Sequence, residues 1–89
     1  MNSDEQIRFC ADIIKAARSM GMGLRETIVG DEIRFDWVDP LAQVVITGPQ
    51  AKDKINALEL ACHRLVDHLK FNATNPNETN QGQTASKTN

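Results

Sequence analysis

The chain has 89 residues, 40% of them hydrophobic, and a formal net charge of −2. That length makes a single domain with a modest core, and no apolar run approaches the ~20 residues of a membrane-spanning helix. Glu78 and Lys87 are the only charged residues beyond Asn72 and they cancel, so no basic domain hides behind an acidic tail; interspersed charges with a negative sum disfavour generic nucleic-acid binding.

The first element is a helix from about Asp4 to Met20. Ser3 is expected to cap it with Gln6 completing a capping box, and Asp4 and Glu5 suit the positive end of the helix dipole. Ile7, Cys10, Ile14 and Ala17 fall at helical spacing, widened by Phe9, Ile13 and Met20 into one apolar face. Gly21 or Gly23 can adopt the left-handed conformation that ends it.

Three short alternating segments follow. Leu24–Val29 predicts a strand, Gly30-Asp31 a two-residue hairpin turn, and Ile33, Phe35 and Trp37 alternate with Arg34 and Asp36 in a second strand. Asp39-Pro40 breaks that strand, because proline fixes φ and removes a donor. Leu41–Thr47, rich in β-branched residues, predicts the third. The first turn sets Ile28 opposite Ile33 and Leu24 opposite Trp37; the second hairpin is expected to bring Phe35 to Val44 and Ile33 to Ile46, all on one inner face.

Gly48 and Pro49 are expected to start the second helix, with proline at its first position. Ile55, Leu58, Cys62, Leu65 and Leu69 then repeat at steps of three and four, a stripe that covers the inner sheet face. The fold class is therefore α+β, in the order α-β-β-β-α: a three-stranded antiparallel meander with two helices packed on one face. Residues 1–72 form the domain. Ala73–Asn89 carries no Val, Ile, Leu or Phe, so it is expected to be a disordered polar tail.

Chemistry-bearing motifs are sparse. Cys10 and Cys62 lack Cys-x-x-Cys spacing; side-by-side helices bring them together as small buried hydrophobes. Two thiols behind an acidic N-terminus that is no signal peptide point to a reducing cytoplasm. His63 and Asp67, four apart, read as a surface ion pair, and with no second cluster to complete a site no metal is expected. Glu26 falls on the inner side opposite Phe35, where an inward charge on an edge strand deters stray pairing. No cofactor motif or catalytic constellation is present, so no enzymatic activity is expected.

Two surfaces remain for function. The outer sheet face carries Arg25, Thr27, Val29, Arg34, Asp36, Val38, Gln43, Val45 and Thr47, with Arg25 and Asp36 expected to pair at the surface. The third strand, 41–47, carries no charge, and an uncharged β-rich edge tends to accept another strand. This predicts a protein-interaction domain that pairs with itself as a homodimer or clamps a larger protein, with Val29, Arg34, Gln43, Val45 and Thr47 as contacts. The alternative is a nucleic-acid binder using Lys52 and Lys54.

That alternative rests on a resemblance. The element order from Asp4 to Phe71, with Ala51-Lys52-Asp53-Lys54 at the start of the second helix and Gly48, Ala57 and Ala61 beside it, is similar to the double-stranded-RNA-binding domain. The resemblance implies phosphate contacts from that basic cluster; the acidic net charge departs from the family. Small inhibitor proteins of bacteriophages also use compact acidic folds of this kind.

Overall fold

The computed structural model describes residues 2–74, with side chains described through Phe71. Helix α1 spans Ser3–Ser19, strands β1, β2 and β3 span Gly23–Val29, Glu32–Val38 and Val44–Ala51, and helix α2 spans Lys54–Thr74. The strands form an antiparallel meander in the order β1-β2-β3, so β1 and β3 are both edges. The expected α-β-β-β-α fold is what the chain adopts. Apart from Ala73 and Thr74, which close α2, the expected tail lies outside the described residues.

The first half follows the local signals closely. The cap of α1 is Asn2 rather than Ser3: its side chain accepts from the Glu5 N–H at 2.9 Å while the Glu5 carboxylate accepts from the Asn2 N–H. Asn and Ser cap equally well, and the shift of one residue makes Glu5 the reciprocal partner. Gly21, at φ +81°, ends the helix, with the Met22 N–H returning to the Ala17 carbonyl. Gly30, at φ +64°, turns β1 into β2 and sets Ile28 against Ile33, Glu26 against Phe35 and Leu24 against Trp37, as the sequence predicts.

The second half departs from expectation. Residues 41–43 are loop, and β3 begins at Val44 and continues through Gly48 and Pro49 to Ala51. Trp37 pairs with Ile46, Asp36 with Thr47, Arg34 with Gln50 and Ile33 with Ala51, replacing the expected Phe35–Val44 and Ile33–Ile46 pairs. Two bulges make the difference: Val45 is an extra residue between Val44 and Ile46, and Gly48-Pro49 together oppose Phe35. Proline is tolerated there because it sits on an edge strand, at a bulge. Helix α2 starts instead at Lys54, capped by Asp53, whose carboxylate accepts from the Asn56 N–H and whose carbonyl accepts from the Ala57 N–H.

The core explains why. Trp37, Ala57, Ala61, Cys62 and Leu65 are buried, and the sheet-facing row of α2 includes the small residues Ala57 and Ala61 as well as the larger stripe. Small side chains let the helix lie close to β2 and β3. The Trp37 Nε1–H donates to the Ala61 carbonyl at 2.8 Å, tying sheet to helix inside the core. A β-carbon at Gly48 would collide with the Phe35 carbonyl oxygen and stand 3.0 Å from the Ala61 Cβ. Gly48 is therefore a packing requirement of the bulge. Coverage is uneven: Ile28 and Val44, both expected in the core, are exposed, because α1 barely reaches the turn end of β1 and the bulge turns Val44 to the outer side.

Gly48→Ala should consequently cost about 2–3 kcal/mol of unfolding free energy, since backbone rather than a flexible side-chain tip must yield. A urea midpoint equal to the wild type would refute the close approach.

Candidate functional site

The edge of β3 is built by the loop before it and by α2 behind it. Asp39 organises the loop: its Oδ1 accepts from the N–H of Leu41 and of Gln43, both at 2.9 Å, while its own N–H donates to the Gln43 carbonyl. Ala42 is held at φ +63°, a left-handed conformation that costs an alanine about 1 kcal/mol. This ordered loop holds up Leu41, which is 80% exposed, and Val44 and Val45 follow it, also exposed. The hydrogen bonds to Asp39 fix the backbone beneath this apolar group.

The direction of the edge groups follows from the hairpin. A two-residue turn makes Val29 and Glu32 the hydrogen-bonded closing pair, and antiparallel pairs then alternate. Asp36 and Val38 thus spend their N–H and C=O on β1. Their β3 neighbours Thr47 and Val44 turn theirs outward. The structure agrees at Thr47, whose carbonyl accepts from Arg64 Nη1 of α2 at 3.2 Å. That bond also places a second row beside the edge. Leu60, Arg64, Asp67 and Phe71 are spaced four, three and four, one stripe of α2, and all are exposed.

Of the residues predicted from sequence, Gln43, Val45 and Thr47 stay together along this edge: Gln43 in the loop, Val45 at the first bulge, Thr47 opposite Asp36. Val29 lies at the other end of the sheet, beside the Gly30 turn. Arg34 is committed elsewhere. Its Nε and Nη2 donate to the two Asp36 oxygens at 2.9 and 3.1 Å, Arg25 Nη2 stands 3.6 Å away, and Thr27 adds its hydroxyl. Asp36 is fully buried beneath these side chains, so the expected surface pair with Arg25 is in fact a clamped carboxylate with Arg34 as its main partner. The sequence does not mark Leu41, Val44, Leu60, Arg64 or Phe71 as site residues. The regular spacing of Leu60 to Phe71 was visible there, but only the Arg64–Thr47 bond shows which side of the sheet it flanks.

The other candidates are engaged in structure. Lys52 Nζ is 3.6 Å from Asp31 and Lys54 Nζ is 3.5 Å from Glu26, so neither lysine presents an uncompensated charge. His63 pairs with Glu59 at 3.2 Å instead of Asp67, and its ring stacks on Phe9 of α1. Asp67 falls on the β3 side of α2, away from the Glu59–His63 row that meets α1. Gln6 Nε2 donates to Glu59 at 2.6 Å and to Asn56 at 2.8 Å, tying α1 to the first turns of α2. Cys10 and Cys62 do meet in the core as free thiols. Burial raises both, and Cys62 is pushed up to about 12, so they remain protonated and unreactive at neutral pH. Among the described residues no group of His, Cys, Asp and Glu could hold a metal ion, and no helix is long and apolar enough to cross a membrane.

No family model, curated protein or solved structure matches this chain.

The Gln6 and His63 hydrogen bonds hold the Glu59 carboxyl below its ordinary value of 4.5. A depressed carboxyl contributes stability that is present above its unfolded pKa and is lost as pH falls through its folded one. The wild type should therefore lose stability relative to Glu59→Gln as pH drops below 4.5, measured by urea denaturation at neutral and acid pH. Parallel losses would remove Glu59 as the cause. In the loop, Ala42→Gly should raise stability by up to about 1 kcal/mol, because glycine carries no left-handed penalty; a fall in the thermal midpoint would contradict the assigned conformation.

Proposed function

We propose that this chain is a protein-interaction domain that acts by binding, through the β3 edge and the loop that precedes it. The observation that supports this best is Leu41, held 80% exposed by a loop whose own hydrogen bonds fix it, in line with Val44 and Val45 on a strand without charge. A monomer has no folding reason to hold a leucine out on an ordered loop, and clustered exposed apolar residues mark contact surfaces. The edge adds main-chain donors and acceptors to that apolar contact, which is the basis of strand addition. Within this reading Gln43, Val45 and Thr47 are contact residues; Val29 and Arg34 stand apart from them.

The test combines Leu41→Asp with Val45→Lys. Both positions are exposed, so stability should change by no more than about 0.5 kcal/mol each. Circular dichroism should show a folded domain, while the associations of the wild-type chain disappear. These are measured by sedimentation of the chain itself and by retention of proteins from its source cells on the immobilised chain. A folded double variant that keeps every association of the wild type would end this reading.

A further inference from the structure

We infer that the occupant of this edge is a second copy of the chain, docked about a twofold axis that passes β3 between Val45 and Ile46. The inference rests on the interaction reading above and names its partner.

Three features of the edge are self-complementary. First, β3 carries no charged side chain from Val44 to Ala51, so an antiparallel copy of itself meets no repulsion. Its outward-facing groups at Val44 and Thr47 lie on either side of the axis, and reversal sets Val44 of one copy against Thr47 of the other. Both side chains point to the same outer face, as directly opposed residues must. Second, the α2 stripe is symmetric in chemistry about its midpoint between Leu65 and Val66. Turning it end for end sets Leu60 against Phe71 and Arg64 against Asp67: apolar on apolar, cation on carboxylate. A twofold makes each of these contacts twice.

Third, the two midpoints fall at the same level. Gly48 lies on Ala61, where an added Cβ would stand 3.0 Å from the alanine methyl. From there the axis on β3 is two to three residues away, roughly 8 Å at the rise of a strand. The antiparallel helix covers that distance in about five residues at its smaller rise, which reaches Val66. One axis therefore serves strand and helix together.

In a lone copy Arg64 occupies the Thr47 carbonyl. In the pair the Val44 N–H of the second copy takes that carbonyl and Arg64 moves to Asp67 of the second copy, so hydrogen bonds exchange rather than vanish. The bulge at Gly48-Pro49 ends the new ladder after Thr47 and so selects this register. Assembly also stops at two: the remaining edge, β1, bears Arg25 and Glu26, which guard it against further strands.

Sedimentation equilibrium on the full chain tests this, using Arg64→Asp, Asp67→Arg and the double exchange. Wild type should be a dimer. Each single exchange puts like charges face to face and should raise the dissociation constant at least about tenfold, and the double exchange should restore dimerisation to near the wild-type value. Both sites are exposed, and circular dichroism controls for folding. A wild type that stays monomeric at its highest soluble concentration overturns the second copy as occupant; if source-cell proteins are then retained by wild type and lost with Val45→Lys, the interaction reading survives without it. A dimer indifferent to Arg64→Asp and to Val45→Lys lies on another surface and overturns both.

Discussion

The hydrogen bond from Trp37 Nε1 to the Ala61 carbonyl, and the close contact of Ala61 with Gly48 beside it, set the distance between α2 and the sheet. Much follows from that distance. A helix seated so close needs a strand without a side chain beneath it, and β3 supplies one by bulging at Gly48-Pro49. The bulge changes the register of every later pair, carries the strand on to Ala51 and delays the helix to Lys54. Tryptophan is suited to this position because it brings a large apolar surface together with a donor that must be satisfied when buried.

The same seating determines what β3 offers to solvent. Close packing on β2 and β3 brings the Arg64 side of α2 past the edge, so that a row of helix residues runs alongside the strand's outward amides. A strand margin with a helix flank is a shelf rather than a bare edge, presenting backbone and side-chain groups side by side. Its chemistry is apolar with a single cation and a single carboxylate, and these are ordered so that a reversed copy is their complement. The other edge, β1, is guarded by charge, and the outer face is sealed at its centre by the Asp36 clamp. A buried carboxylate held by two arginines adds little net stability but is costly to break. It keeps the centre of that face polar.

The α1 side has a different character. Gln6, Asn56, Glu59, His63 and the Phe9 ring form a polar seam above the two thiols, which burial keeps protonated. Each group has a partner within the domain, so the seam docks α1 on α2. The lysines at the start of α2 are likewise compensated by Asp31 and Glu26. The resemblance to the double-stranded-RNA-binding domain extends to the order of elements and stops short of its basic surface.

Sequence alone determined the class, the meander, the first hairpin and its register, a helix end at Gly21 or Gly23 and the meeting of Cys10 with Cys62. Those follow from local rules: a two-residue turn leaves one register, and an apolar stripe leaves one face. It also identified β3 as an uncharged edge, and Gln43, Val45 and Thr47 within the shelf. Tertiary structure decided the rest. Gly48-Pro49 carries the same local signal at a helix start as at a bulge, and only the contact with Ala61 selects the bulge. Whether Asp36 is exposed depends on Arg34 of its own strand and Arg25 of β1 folding over it, and whether His63 meets Glu59 or Asp67 depends on where α1 lies. Leu60, Arg64, Asp67 and Phe71 are spaced regularly in the chain, but a stripe has no meaning until packing shows which edge it borders.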